Sequence, residues 1–377
     1  MKFDEYRIDQ QIKDNLKGLG FRRPTDIQFK SIPFILKGED VLAIAQTGTG
    51  KTAAYGIPVI HKLHERKLKA RRKDGIKCLV MVPTHELAVQ VCTVLNQLSN
   101  QTRIKAISLY GGVDQNPQID ALEKGADILV TTPGRMFDLR AQGHLDLHRV
   151  ETLILDEADL MLAKGFLRDI KDVLRFLPKR RQTLFFSATI DKEIKKLAYE
   201  LIQQSAIRIQ ISPHNPVARN VHHCVAYIEM DDKRYFLERL YRDFKKAKIL
   251  AFVRTKVRAE RVAKAMQRVG VDCLCMHGDK SQEMRKNTLE EFKSSKVRLL
   301  IATDVSARGI DIPDVDYVIN YDLPELPENY VHRVGRTGRA HQKGEAIAFC
   351  SEHEQPLLQE IEFYLGKKIE LLTIQKN

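Results

Sequence analysis

No apolar run in this 377-residue chain exceeds a handful of residues. A membrane-spanning helix needs about 20, so none is expected. The amino terminus lacks the apolar core of a secretory leader: Met1-Lys2-Phe3-Asp4-Glu5 runs straight into charge. Cysteine is scarce. Cys78, Cys92, Cys224, Cys273, Cys275 and Cys350 sit mostly within apolar runs and lack the spacing of a disulfide framework, so a reducing, cytoplasmic setting is expected. Cys273-Leu274-Cys275-Met276-His277 has no second ligand pair, and strand alternation puts both sulfurs on one face; no zinc is expected there. Low-complexity segments and short internal repeats are missing too. So is any acidic surplus: 62 Lys+Arg face 49 Asp+Glu, a formal net charge of +13. Residues 1–211 carry 34 basic against 25 acidic side chains and the remainder 28 against 24, so both parts favour a polyanionic partner.

What is present is a repeated local pattern. Apolar content of 43% and charged content of 29% describe an ordinary globular chain, and the length suits two domains. Short Val-, Ile- and Leu-rich runs recur: VLAIA, CLVMV, AISLY, DILVT, TLILD and TLFFS, then ILAFV, CLCMH, RLLIA, YVINY and AIAFC. Such runs, separated by amphipathic stretches such as 192–204 and 257–268, predict parallel strands buried on both faces. The series restarts after Ile211-Ser212-Pro213-His214-Asn215-Pro216, where two prolines interrupt either periodicity. The expected organisation is an α/β domain over 1–211, a linker over 212–216 and a second α/β domain over 217–377, each a doubly wound parallel sheet.

Two of the apolar runs end in phosphate chemistry. Val41-Leu42-Ala43-Ile44 leads into Ala45-Gln46-Thr47-Gly48-Thr49-Gly50-Lys51-Thr52, a Gly-rich loop whose N–H groups cradle phosphates while Lys51 reaches the β/γ oxygens. Leu153-Ile154-Leu155 leads into Asp156-Glu157-Ala158-Asp159, carboxylates at the carboxyl end of a buried strand. Paired, they predict a magnesium-nucleotide site in which Thr52 and Asp156 hold the metal and Glu157 handles water.

With these motifs in view, the chain resembles a DEAD-box RNA helicase over nearly its whole length. The resemblance implies two tandem RecA-like domains, ATP and Mg²⁺ as cofactors, and RNA as a partner recognised with little sequence specificity. It further implies local unwinding of short duplexes or remodelling of RNA–protein complexes, hydrolysis releasing the RNA, and a monomer; partners from ribonucleoprotein or RNA-decay assemblies stay open. Gly20-Phe21-Arg22-Arg23-Pro24-Thr25-Asp26-Ile27-Gln28 resembles the adenine-sensing motif, with Phe3 as its upstream aromatic; Phe21, Thr25 and Gln28 would meet the nucleotide. Ser187-Ala188-Thr189 matches the hydroxyl motif that bonds toward the acidic residues. RNA-facing positions fall on Pro83, Thr84, His85, Gly111, Gly112, Thr132 and Arg135, then Thr255, Gln282, Arg285, Thr303 and Arg308. Asp311 would lie near the ribose. His332-Arg333-Val334-Gly335-Arg336-Thr337-Gly338-Arg339 places a coupling residue at His332 and two arginine fingers at Arg336 and Arg339. One departure is His85, where the family usually has Arg: histidine keeps a donor but loses the planar fork and fixed charge.

Two other readings share these parts, a DNA-translocating helicase and a non-enzymatic RNA clamp. Intact Lys51, Glu157, Arg336 and Arg339 argue against the clamp. The stretch Lys62 to Lys77 holds eight basic residues against Glu65 and Asp74. It reads first as a solvated helix end, second as an auxiliary RNA patch.

Overall fold

Fourteen short strands alternate with helices in the computed structural model, which describes residues 2–46, 48–69, 75–190, 192–202, 205–211, 221–304, 315–338 and 344–372. The chain divides into two compact units, Met1–Ser212 and Pro213–Asn377. The expected linker at 212–216 lies outside the described residues.

The first unit contains β1 (Val41–Ile44), β2 (Cys78–Met81), β3 (Ala106–Leu109), β4 (Ile128–Thr131), β5 (Thr152–Leu155), β6 (Gln182–Ser187) and β7 (Ile207–Gln210). They form one sheet in the order β3-β4-β2-β5-β6-β1-β7, every neighbour parallel. The second contains β8 (Val221–Tyr227), β9 (Ile249–Val253), β10 (Cys273–Met276), β11 (Leu299–Thr303), β12 (Tyr317–Asn320), β13 (Gly344–Cys350) and β14 (Glu370–Leu371). Its order is β10-β11-β9-β12-β13-β8-β14, again parallel throughout. Counted from its own first strand, each sheet has the same order.

Central strands such as β1, β2, β4 and β5 are buried at every position, because helices cover both faces. Each sheet therefore separates two apolar cores. Val41, Ala43, Val80 and Phe186 face one core of the first unit; Leu42, Leu79, Leu155 and Phe185 face the other. The alternation also sends Cys273 and Cys275 into the same core of the second unit. Three strands fall outside the apolar runs of the sequence: β7, β8 and β14. β7 and β14 are sheet edges, and β8 begins with His222 exposed between buried Val221 and His223. Among the described residues, no helix is long and apolar enough to cross a membrane.

Candidate active site

The strand order decides what meets at the carboxyl edge. β6 lies between β5 and β1, with Leu155 beside Phe185 and Ile44 beside Ser187. Loops after β1, β5 and β6 therefore converge, although the first precedes the other two by more than a hundred residues. These three loops are the phosphate loop, Asp156-Glu157 and Ser187-Ala188-Thr189.

The phosphate loop opens into the helix Lys51–Lys69. Gly48 and Gly50 have φ of +83° and +88°. The φ at Gly50 favours glycine, and a Cβ there would stand 2.4 Å from Gln28 Nε2 and displace that amide. Lys51 is buried, and its Nζ lies 2.9 Å from Glu157 Oε1. Burial pulls the ammonium pKa down, but the nearby Glu157, Asp156 and Asp159 outweigh it, leaving Lys51 raised. Asp156 Oδ2 accepts a hydrogen bond from Tyr55 Oη at 2.8 Å, and Oδ1 accepts from the Glu157 N–H at 3.0 Å. Burial drives this carboxyl up to about 6, with Lys51 pulling it back down and Glu157 adding to the rise. Glu157 itself occupies the left-handed region, φ 54° and ψ 51°, immediately before the helix Ala158–Ala163. Thr52 and Asp156 offer hard oxygen donors, the kind Mg²⁺ takes. A buried carboxylate whose charge is only partly balanced by protein groups suits a dication beside it.

The other nucleotide positions have definite neighbours. Thr25 Oγ1 donates to Thr49 O at 2.8 Å, and Gln28 Nε2 donates to Gly50 O at 3.1 Å. Gln28 Oε1 accepts from Thr25 N–H at 3.0 Å, which caps the helix Asp26–Lys37. The Gln28 amide is thus engaged at both ends with the phosphate loop and its own cap; meeting an adenine edge requires it to share or exchange these bonds. Phe21 is half-buried and stands edge-on to buried Phe3 at 6.2 Å. Thr49 Oγ1 donates to Gln46 O at 2.7 Å. Ser187 is fully buried, while Thr189 Oγ1 donates to Asp159 Oδ2 at 3.5 Å. Thr47, Arg308, Asp311 and Arg339 lie outside the described residues.

Expected RNA positions follow the other half of each sheet. Thr84, Gly111-Gly112 and Thr132 come after β2, β3 and β4; Thr255, Gln282 and Thr303 come after β9, after β10 and at the end of β11. Thr84 caps the helix His85–Leu98 by accepting from Leu87 N–H at 3.3 Å. Thr255, its counterpart, caps Lys256–Arg268 by accepting from Arg258 N–H at 3.2 Å. In both, the cap occupies a lone pair and leaves the hydroxyl proton to donate, beside helix N–H groups suited to phosphate. Pro83 is buried behind Thr84. His85 stacks on Tyr110, centroids 3.7 Å apart. Arg135 is buried and donates to Val113 O at 2.8 Å, so it braces the Gly111-Gly112 loop. Arg285 is buried as well.

The second unit contains two partnerships that the motifs alone did not reveal. Arg333, 1% exposed, grips Asp304 in a two-bond fork at 2.6 and 2.7 Å and also donates to Asn320 and the Asp322 carbonyl. This ties the segment after β11 to the helix Pro327–Val334, which carries His332 and leads to buried Arg336. Lys233 is fully buried, with Nζ donating to Tyr321 O, Phe349 O and Glu354, whose Oε1 accepts from Arg254 at 3.3 Å. Near β10, Glu260, Cys275 and His277 bring ligand atoms within 4.8 Å of one another. Lys280 already neutralises Glu260 at 2.6 Å, and His277 accepts the Asp279 N–H on Nδ1 at 3.3 Å, leaving Nε2–H to bond Glu260. Four residues of the basic stretch form local pairs: Lys62 with Gln182, Arg66 and Lys77 with Glu151, Lys67 with Asp127; Arg71, Arg72 and Lys73 lie outside the described residues. Those partners sit at the amino ends of β4, β5 and β6, the edge opposite the RNA-facing loops.

A phosphate loop whose lysine faces an acidic pair across a doubly wound parallel sheet defines a nucleotide-binding enzyme. The family model described as DEAD/DEAH box helicase matches residues 25–197, and that described as helicase conserved C-terminal domain matches 232–341. The ATP-dependent RNA helicase CshA of Listeria monocytogenes is 40% identical over 371 residues, covering 98% of this chain and 70% of the relative. CshA of Geobacillus kaustophilus is 39% identical, covering 98% and 77%. A structure of Saccharomyces cerevisiae Dbp5 bound to RNA and ADP BeF3 aligns with TM-score 0.87 and 29% identity, covering 98% of this chain and 95% of that one. The chain belongs to the DEAD/DEAH box helicase family.

Proposed function

We propose that this protein is an RNA-stimulated ATPase that unwinds short RNA duplexes or remodels RNA–protein complexes. The observation that carries the reading is Lys51 held 2.9 Å from Glu157 beside Asp156, at the mouth of a glycine-rich loop. Lys51 and Glu157 restrain one another, and a γ-phosphate competes for the ammonium through its greater charge. Glu157 is then released to accept a proton from attacking water. Thr52 and Asp156 would hold Mg²⁺, which would supply positive charge against the charge that develops in transfer. The loop N–H groups orient the phosphates, Thr25 and Gln28 fix the loop's shape, and Thr189 reports on the acidic segment through Asp159.

RNA laid along Thr84, Thr132, Thr255 and Thr303 brings the two units to a common ligand. Arg336, with Arg339, then supplies positive charge to the transferring phosphoryl group, so RNA and ATP binding are thermodynamically coupled. Contacts of this kind read backbone and 2′-hydroxyl groups, which favours RNA with little sequence preference. The test is steady-state ATPase activity with matched single strands of RNA and DNA. RNA should stimulate turnover strongly and DNA weakly. Equal stimulation by both would overturn the RNA assignment, and turnover indifferent to either would overturn the coupling.

A further inference from the structure

Tyr55 lies one turn beyond Lys51 and Thr52 on the same helix, so its side chain shares their face. The ring is fully buried and stands edge-on to Phe186, centroids 5.2 Å apart. Packing alone would be met by phenylalanine. The hydroxyl, however, touches a residue assigned to the metal: it donates to Asp156 Oδ2 at 2.8 Å.

The direction of this bond follows from what each group can do. An ionised carboxylate only accepts, so the phenol's single proton goes to Asp156. Asp156 has its second oxygen pinned by the Glu157 N–H at 3.0 Å. The phenol and the Glu157 N–H thus fix the plane of the carboxylate ligand together.

We infer that Tyr55 is a positioning residue for magnesium: its hydroxyl, donating to Asp156 Oδ2, pre-aims that carboxylate at the cation that accompanies ATP. The inference rests on the magnesium-nucleotide reading above. Outer partners of metal ligands, when removed, cost about 10- to 100-fold in metal affinity.

The experiment titrates Mg²⁺ into the full chain with a fluorescent ATP analogue, beside binding in EDTA. Tyr55→Phe should raise the Mg²⁺ concentration for half-maximal tightening by about 10- to 100-fold while leaving EDTA affinity unchanged. Phe186→Leu, which loosens the same aromatic contact but spares the hydroxyl, should lower the melting temperature without moving the Mg²⁺ midpoint. An unchanged midpoint in Tyr55→Phe, or an equal shift in Phe186→Leu, would overturn the role and leave Tyr55 as packing. Wild type indifferent to Mg²⁺ would instead overturn the site reading, and the inference with it. Should Tyr55→Phe not fold, 3-fluorotyrosine placed at position 55 gives a second readout. Its fluorine resonance should move when Mg²⁺ joins the nucleotide complex, and a stationary line would sink the inference.

Discussion

Glu157 joins a backbone cost to a chemical task. Its φ of 54° lies in the region that side chains other than glycine enter at about 1–3 kcal/mol. That cost is tolerated where the surroundings over-determine the residue, here through Lys51, the Asp156 bond and the following helix. Glu157→Gln keeps the shape and loses the basic oxygen. Nucleotide binding should persist, and RNA-stimulated turnover should fall by about 10²- to 10⁴-fold, read by steady-state ATPase. Residues at this site differ in how visible they are beforehand. Lys51, Thr52, Asp156 and Glu157 are legible because loop and acidic pair each follow a strand-like run. Tyr55 is not, since a tyrosine in an apolar helix reads as core. Lys233 is hidden for the opposite reason: Asp231-Asp232-Lys233-Arg234 reads as a solvated helix start, and only the fold reveals three acceptors around its ammonium. His85 carries a family expectation of RNA contact, while its stack on Tyr110 depends on a residue two strands away in the sheet.

At the scale of elements, strand order sorts the ligands. The loops proposed for nucleotide follow β1, β5 and β6, and those proposed for RNA follow β2, β3 and β4, so each half of one edge would serve a different polyanion. Thr255 tests this division because its two roles separate chemically. Thr255→Asp remains a good helix cap but sets a negative charge where phosphate is expected. Thermal stability should hold while RNA affinity falls, measured by titration with labelled single-stranded RNA; unchanged affinity would make Thr255 a cap alone. β8 carries a different liability. Burial, helped by the charges of Lys367 and His222, lowers the His223 pKa to about 4, and its ring meets Tyr330 Oη at 3.2 Å. The unfolded chain takes up this proton near pH 6.5, the folded chain only near 4. Stability is therefore lost as pH falls through that window, by about 1–2 kcal/mol after allowance for partial exposure. Denaturant unfolding at pH 7 and pH 5 should show a smaller acid loss in His223→Gln. β8 escaped the apolar-run reading because two histidines break it, and β7 because Ile207-Arg208-Ile209-Gln210 alternates as an exposed edge does.

The whole molecule uses one topology twice with different chemistry at its loops. The first unit has the phosphate loop and acidic pair; the second offers Arg336, held near the Arg333–Asp304 fork. Arg336→Ala should reduce kcat by about 10³- to 10⁵-fold, and nucleotide-free RNA affinity should change little. A collapse of that affinity would mark Arg336 as a phosphate contact instead. Two domains were legible from the restart of the strand series after Ile211. Their common strand order was not, because the correspondence lies in pairing between distant segments and leaves no short repeat in the residues.

That strand order also bears on how the protein is made. β1 pairs only with β6 and β7, and β8 only with β13 and β14. In each unit the first strand to leave the ribosome waits for the last two. The phosphate loop hangs from a β1 paired on both sides only after Gln210 has been synthesised, and a nascent chain stalled before Gln182 exposes Val41–Ile44 as an unpaired apolar segment. Such a chain is a client for a chaperone before it is an enzyme.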